Sequence, residues 1–326
     1  MSNASLSAPS NALLTDCTLS EKLIPLNRKR QLFLTLGVIF FIPAITISFS
    51  RVPGRVLEPL WLLFPMAVFF VFGAYSFHLS HQYTKKKKTL ISTHFLHSML
   101  AEQFELYHFD PLAHFSAEEL EPAQLKPEIW NKAEGNDLFQ ASYQGVTFRF
   151  SNMKLSDSSS PYLGSSSIWK LKGQWLILDL HKAISAPLIV SELENKGQMG
   201  KAARIETGNA DFDKRFTVLC EHPDLVPQVL SEDFMKFLLH YDCIFAYHKR
   251  HVCFKENVVH ICIKSDRYIF SPWDYVRDIP AMREQMLGEM DELKKIIDGF
   301  LQIDALFEAS GTTDNTASLY KEENGL

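Results

Sequence analysis

Two uncharged stretches decide how this chain is organised: LFLTLGVIFFIPAITISFS at residues 32–50 and PLWLLFPMAVFFVFGAYSFHLS at residues 59–80. Each has close to the roughly 20 apolar residues that a helix needs to cross a bilayer. Because a backbone in lipid must satisfy its own hydrogen bonds, both stretches are expected to be helical. The short segment between them, residues 51–58, forces an antiparallel connection, and Pro53 and Gly54 favour a turn there. The sequence therefore predicts a transmembrane helical hairpin.

Two other interpretations of the hairpin stay open. A cleaved signal peptide would have a shorter apolar region, of about 7–15 residues, and would not follow so long a polar segment. A buried helical hairpin in a soluble protein is disfavoured by the length of both stretches.

Basic residues flank the hairpin and predict its orientation. The sequence RKR at residues 28–30 precedes the first stretch and KKKK at residues 85–88 follows the second, while the connecting segment has only Arg51 and Arg55 as basic residues. Lys and Arg near the ends of spans mark the cytoplasmic side. Both termini of this multi-pass chain are therefore predicted to be cytoplasmic. The four lysines also suit anionic lipid, although a plain topology signal accounts for them.

Charge and cysteine content restrict the classes of protein that fit. Residues 1–88 carry 10 Lys/Arg against 3 Asp/Glu, and the remaining residues carry 23 against 35. The acidic larger part would repel phosphates, which disfavours nucleic acid as a partner. The five cysteines are odd in number and form no CxxC pair, which agrees with a reducing compartment.

The rest of the chain predicts an α+β fold, with an antiparallel sheet and a long C-terminal helix. Strands are predicted at residues 137–143, 146–155, 168–180, 188–193 and 214–220, with a β-hairpin at 252–263. Helices are predicted at residues 90–109, in two pieces at 223–240, and from Pro280 to about residue 307. The predicted division is a cytoplasmic tail at 1–30, the transmembrane hairpin at 31–80, a juxtamembrane helix and connector at 81–136, the cytoplasmic α+β domain at 137–308 and a polar tail at 309–326.

Three carboxylates, Glu206, Asp211 and Asp213, are the first candidate for chemistry. Acidic side chains so close in sequence can bind a divalent cation or supply a general acid and base for a hydrolase or transferase. The spacing is not that of an EF-hand loop, and Lys214 and Arg215 can neutralise the cluster.

A structural explanation of the same segment is favoured. Thr207 and Asn209 suit turn capping, Gly208 suits a turn, and Phe212 and Phe216 suit the core. Residues 206–216 are therefore expected to be chiefly structural.

The second candidate is the predicted β-hairpin. With a two-residue turn at residues 256–257, His251, Cys253, His260 and Cys262 lie on one face. Two Cys and two His suit zinc, but their spacing on a flat sheet fits a tetrahedral ion poorly. We therefore expect no metal and a half-exposed face packed under a helix. The sequence GQMGK at residues 197–201 lacks the spacing of a phosphate loop.

The last helix carries an apolar seam with heptad spacing. It is short for a coiled coil, so packing on the domain's own sheet is favoured over a homo-oligomer or a partner helix. The seam consists of Met286, Met290, Leu293, Ile297 and Phe300.

The string ETGNADFDKRF at residues 206–216 carries a family resemblance, together with GQWLI at 173–177 and YIFSP at 268–272. The chain resembles a family of bacterial membrane proteins that is known only by a domain of unknown function, over about residues 20–305. The resemblance implies two N-terminal spans, a cytoplasmic α+β domain and an inner-membrane location. It implies no activity, and the Cys and His content near residues 240–262 departs from the family.

No nucleophile elbow, dinucleotide-binding glycine pattern or kinase motif occurs in the sequence. No catalytic residue or cofactor is therefore predicted. The function that fits is a membrane-anchored cytoplasmic interaction or scaffold module. The alternatives are a lipid- or ligand-sensing domain at the membrane surface and, behind it, the hydrolase or transferase.

Overall fold

The computed structural model describes residues 16–49, 63–123, 130–157, 168–192, 202–241, 249–265, 268–270 and 279–307. The chain divides into two compact units, Met1–Gln103 with Phe270–Leu287 and Phe104–Ile269 with Gly288–Leu326. Each unit is described by itself. The domain boundaries expected from the sequence stay a prediction.

Two long helices dominate the first unit. They are α1 (Asp16–Phe49) and α2 (Leu63–Ile91), and α2 continues through a π-helical turn (Ser92–Leu96) into α3 (His97–Gln103). α1 and α2 pack antiparallel, because Phe33 stacks on Tyr83 at one level and Phe41 contacts Phe70 at another. The helical hairpin is thus present as an antiparallel pair of helices.

The first helix begins earlier than the sequence predicts. Residues 16–30, assigned above to a polar tail, are helical. Leu19 and Leu23, one turn apart, are almost completely buried. Burial of these two leucines stabilises a helix in a segment whose composition alone indicates an unstructured tail.

Within the described part of the chain, no helix is long and apolar enough to cross a membrane. Residues 50–62, with the predicted turn at Pro53 and Gly54, lie outside the described residues, as do the side chains of 43–44, 46–49 and 63–66.

The second unit is built on an antiparallel sheet, which confirms the α+β class. Its strands are β1 (Glu105–Asp110), β2 (Lys132–Tyr143), β3 (Val146–Asp157), β4 (Ile168–Asp179), β5 (Leu188–Ser191), β6 (Ala203–Ile205), β7 (Thr217–Cys220), β8 (Lys249–Lys255) and β9 (Val258–Lys264). The nine described strands run in the order β1-β2-β3-β4-β9-β8-β5-β7-β6. All described pairings are antiparallel.

Short helices connect and cover these strands. They are α4 (Ala117–Leu120) with a 3₁₀ turn (Glu121–Ala123), α5 (Ala210–Arg215), a 3₁₀ turn (Pro223–Leu225) before α6 (Val226–Val229), α7 (Glu232–His240), and α9 (Asp304–Phe307). Ser231 caps α7, because its hydroxyl accepts a hydrogen bond from the Phe234 N–H. The long C-terminal helix is α8 (Ile279–Leu301), which confirms that prediction.

Both β-hairpins have the predicted turns. Gln144 and Gly145, between β2 and β3, have φ values of 50° and 79°, and Glu256, between β8 and β9, has a φ of 54°. Positive φ at the turn matches the twist of the flanking strands. In the second hairpin Cys253 pairs with His260 and His251 with Cys262, which is the predicted register.

The predicted helix at residues 90–109 is confirmed up to Gln103 and wrong beyond it. Residues 105–110 form β1, which pairs with β2 and places Phe109 opposite Phe139. Aromatic side chains such as Tyr107 and Phe109 favour strands, and the pairing partner lies too far along the chain for local periodicity to reveal it. β2 likewise begins at Lys132, inside the predicted connector.

The apolar seam of α8 is buried. Its five members, Met286, Met290, Leu293, Ile297 and Phe300, are at most 2% exposed. On one face of the sheet, Phe300 contacts Phe254 of β8 and Phe234 of α7. The favoured interpretation, packing on the domain's own sheet, describes this arrangement, and a partner for the helix stays a prediction.

Candidate functional site

The outer surface of the α1–α2 hairpin is apolar. Large hydrophobic side chains between 43% and 64% exposed cover it on both helices. They are Leu32, Leu34, Val38, Ile39, Ile42 and Ile45 on α1, and Phe70, Val71, Phe72 and Tyr75 on α2. We call these ten residues the apolar outer surface. Contiguous exposed hydrophobic area of this extent marks an interaction surface.

The inner surface of the hairpin uses small and polar residues. Gly37 and Gly73 lie between the helices, where a Cβ on Gly37 would be 3.1 Å from the Phe77 ring and one on Gly73 would overlap the Phe41 ring. Ser76 and Ser80 are also buried. The interface between the helices therefore combines small residues with aromatic rings such as Phe41 and Phe77, whose ring centroids are 5.3 Å apart, while further large apolar side chains cover the outside.

Basic and aromatic residues meet at the end of the apolar outer surface. Tyr83 of α2 stacks on Phe33 of α1, with ring centroids 5.6 Å apart and ring planes 7° from parallel. The Lys29 and Lys86 Nζ atoms lie 5.9 and 5.5 Å from the centroid of the Tyr83 ring. The Ser80 hydroxyl donates to the Arg30 carbonyl at 3.3 Å, which fixes the two helices at this level. We call residues 28–30 and 85–88 the basic collar.

The acidic segment is structural, as the favoured interpretation predicts. Asp213 accepts hydrogen bonds from the Thr207 N–H at 3.1 Å and from its hydroxyl at 2.9 Å. Glu206 and Asp211 are exposed, and Asp211 forms an ion pair with the exposed Lys214 at 3.0 Å. The carboxylates thus have separate structural environments, and the hydrolase or transferase gains no support from them.

Residues 210–215 form a helix, whereas the sequence predicts turns up to residue 213 and a strand from residue 214; the strand begins at Thr217. Asn209 caps α5, because its side-chain oxygen accepts from the Phe212 N–H at 3.2 Å. Gly208 has a φ of 83°, as expected for a turn that disfavours a side chain. Phe212 and Phe216 are at most 2% exposed and stack with centroids 4.6 Å apart, which confirms their predicted place in the core.

The same segment supplies the exposed member, Arg215, of an ion network whose other two members, Glu192 and Arg250, have buried side chains. Arg215 donates to Glu192, and Glu192 also accepts from the Arg250 N–H at 2.8 Å and from Arg250 Nε at 3.1 Å. Burial opposes the charged form of Glu192, but the Arg250 charge and the hydrogen bonds from Arg250 and Arg215 together outweigh it and hold the Glu192 pKa below its usual range. The Arg250 guanidinium also lies 5.5 Å from the Phe216 ring. Sequence reasoning missed this network because its members are far apart in the chain.

The Cys and His face of the β8–β9 hairpin is fully buried, not half-exposed. His251, Cys253, His260 and Cys262 are at most 2% exposed. They lie under residues 115–123, since His251 Nε2 is 2.8 Å from the Ala123 carbonyl. The prediction of a half-exposed face is therefore wrong, because the face is fully buried. The segment that covers it is residues 115–123, which contains the short helix α4.

Polar atoms of this face form hydrogen bonds with other residues of the same chain. A carbonyl only accepts, so His251 Nε2 donates to it and Nδ1 accepts from the Ser191 hydroxyl at 3.0 Å. Trp175 Nε1 donates to His260 Nδ1 at 3.4 Å. Burial lowers the pKa of His251 to about 4 and that of His260 to about 4, and raises the pKa of Cys253 to about 12.

Metal ligands do not come together in the part of the chain that the structure describes: it contains no group of three or more His, Cys, Asp or Glu side chains that could hold an ion. The phosphate-loop-like residues 197–201 lie outside the described part.

A small cavity separates the sheet from α8. Its volume is about 10 Å³, room for about one water molecule and far below a substrate pocket. It is lined by Phe150, Gln174, Leu176, Ile261, Ile263, Ile269, Glu289, Leu293 and Ile296. Gln174 and Ile269, which belong to the strings GQWLI and YIFSP that carry the family resemblance, thus line the same cavity.

Comparison with known proteins supports a domain of unknown function. A family model described as a protein of unknown function, DUF3137, matches residues 169–301. This range is narrower than the predicted 20–305 and leaves the hairpin outside the match. No curated protein matches the chain. The crystal structure of the mycobacterial trehalose monomycolate transport factor A, TtfA, aligns over 62% of this chain and 89% of its own, with 8% identity and a TM-score of 0.33.

Proposed function

We propose that the chain is a membrane-anchored interaction module of the bacterial inner membrane. The α1–α2 hairpin is the anchor, and both termini and the α+β domain are cytoplasmic. The observation that carries the proposal is the exposed apolar outer surface of the hairpin.

In water, a helical pair gains stability by turning its large apolar side chains toward the partner helix. Here aromatic rings do meet between the helices, yet ten further large apolar side chains remain between 43% and 64% exposed, Phe70 among them although its ring also contacts Phe41. Helices in lipid gain nothing by hiding apolar surface and instead associate through small residues that let the backbones approach. Gly37, Gly73, Ser76 and Ser80 occupy the inner surface. The arrangement suits a lipid environment.

Topology is tested with reporter fusions in a bacterial host. A reporter after Thr89 and one at Leu326 should both report cytoplasm, and a probe at Pro53 should report the opposite side. Alkaline carbonate should leave the full chain in the membrane pellet. A matched variant with Ile39 and Val71 both replaced by Lys should lose this retention, because lysine on the lipid side is costly. Extraction of the unaltered chain by carbonate, or a periplasmic C-terminus, would contradict the proposal.

We infer that the domain contacts a protein partner at the edge strand β1. Among the described residues of the second unit, the large hydrophobic side chains that stand exposed are Tyr107, at 53%, and Leu112, at 59%. The ladder between β1 and β2 shifts between Leu106 and His108, so Tyr107 is the extra residue of a bulge. An edge strand offers backbone hydrogen-bonding groups to an added strand, and adjacent exposed side chains add selectivity.

The partner is sought by affinity purification of the full chain from membranes. Replacing Tyr107 and Leu112 by Ser should abolish recovery of a reproducible partner without unfolding the domain, because both side chains are exposed. Arg204→Ser, on the exposed edge strand β6, is the matched control and should leave recovery unchanged. Equal recovery with all variants would refute β1 as the contact.

A further inference from the structure

We propose that two lysines of the basic collar, Lys29 and Lys86, bind the phosphate of an anionic phospholipid in the cytoplasmic leaflet. This inference rests on the proposed membrane anchor and names the lipid chemistry that the anchor selects.

Two cations from different helices converge on one aromatic ring. Lys29 belongs to α1 and Lys86 to α2, and their Nζ atoms lie 5.9 and 5.5 Å from the centroid of Tyr83. The ring is held by its parallel stack on Phe33. An aromatic face attracts an ammonium group and reduces its conformational freedom. The two charges are thus preorganised before any anion arrives.

The charge around this ring is one-sided. Both lysines are exposed, and among the described residues neither has an acidic side chain within ion-pair distance. Glu21, the acid of α1 that precedes Lys29, is about two helical turns away along α1. Two cations at one ring, with no acidic side chain paired to either among the described residues, create a positive potential that a phosphate monoanion or diester would satisfy.

The position of the ring selects a lipid over a free phosphate. Phe33 is followed at once by Leu34, and Leu32 precedes it; both leucines belong to the apolar outer surface. A ligand with its phosphate between Lys29 and Lys86 therefore has its other end along that apolar surface. A phospholipid, with acyl chains next to its phosphate, is the occupant that fits both parts, and tyrosine is favoured at this depth of a bilayer.

The test is native mass spectrometry of the full chain, purified in detergent and mixed with equal amounts of phosphatidylglycerol and phosphatidylcholine. The measured quantity is the enrichment of phosphatidylglycerol among retained lipids. Replacing Lys29 and Lys86 by Gln should reduce the enrichment about fivefold for each lysine. The matched control replaces Arg28 and Lys85 by Gln, which removes the same charge nearby, and should lose several-fold less.

A second pair of variants separates the geometry from the charge. Tyr83→Leu keeps the net charge and an apolar side chain but removes the ring, and should lose most of the enrichment. Tyr83→Phe keeps the ring and should behave as the unaltered chain. Enrichment that survives Tyr83→Leu, or falls equally in the control pair, would overturn the inference.

Two further arms separate the sources of failure. Millimolar glycerol phosphate should not displace the retained lipid, and full displacement would show that free phosphate is the ligand. Reconstitution into bilayers of phosphatidylcholine alone tests the anchor itself. Stable insertion without any preference for phosphatidylglycerol would refute the collar site alone, whereas failure to insert would refute the proposed function.

Discussion

Acidification should destabilise the α+β domain through two buried histidines. His251 and His260 are at most 2% exposed, and burial lowers the pKa of each from 6.5 to about 4. The folded state therefore holds both rings neutral at a pH where the unfolded chain protonates them. Their stabilising contribution is fully present above about pH 6.5 and is lost as the pH falls toward 4, because the unfolded state then binds more protons.

The size of the effect follows from the same values. Each histidine costs about 1.4 kcal/mol of the free energy of unfolding per pH unit between those limits. Between pH 7 and pH 5 the loss is about 2 kcal/mol for each ring, and about 4 kcal/mol together. A protein of ordinary stability, at about 5–15 kcal/mol, would lose a large share of it.

The assay is urea denaturation of the full chain in detergent micelles at pH 7 and pH 5, followed by tryptophan fluorescence. Trp175 is buried beside His260 and reports on this part of the sheet. His251→Gln and His260→Gln should each remove about half of the pH dependence, whatever they do to stability at pH 7. His240→Gln, at an exposed position, is the control. The same pH dependence in all variants would refute the reasoning.

Five further substitutions test the packing, each by its urea midpoint. Phe216→Ala should cost about 3–5 kcal/mol because the ring is 2% exposed, and Asp211→Asn about 1 kcal/mol or less; the reverse order would reopen a chemical role for the acid. Glu192→Gln should lower the free energy of unfolding by about 3–5 kcal/mol, because its guanidinium partners lose their counter-charge. An unchanged urea midpoint would show that the ion network does not stabilise the fold. Gly173→Ala should lower the free energy of unfolding by about 1–3 kcal/mol, because the added Cβ overlaps the neighbouring strand. Gly288→Ala has open space around its Cβ and should raise the free energy of unfolding by up to about 1 kcal/mol. Equal effects of the two substitutions would contradict these contacts.

Sequence patterns were sufficient where one local rule decides the structure. The β8–β9 register follows because only that pairing places Val252, Phe254 and Val259 on one apolar face. The Gln144–Gly145 turn follows from its residue types, because both must adopt positive φ. The acidic segment was correctly interpreted as structural because its polar residues suit caps and turns.

Features that depend on distant partners were missed. β1 pairs with a strand that begins 22 residues after β1 ends, so Tyr107 and Phe109 read as the end of a helix. The Glu192–Arg250 pair joins residues 58 positions apart, and no spacing rule links them. α5 is short enough to escape periodicity, although Asn209 followed by early acids and late bases is the order that a helix dipole favours. The stack of Phe33 on Tyr83 required the two helices to be placed first.

The order of the strands has a consequence for synthesis on the ribosome. β4 lies between β3 and β9, and Gly173 of β4 pairs with Lys264 of β9. When β1 to β4 have emerged, the far side of β4 is still an open edge, and it stays open until the residues of β9 are made. Open strand edges pair readily with other nascent chains, and such distant pairings form slowly. Chains that stop before Val258 should therefore aggregate, and the nascent chain has a reason to need a chaperone during that interval.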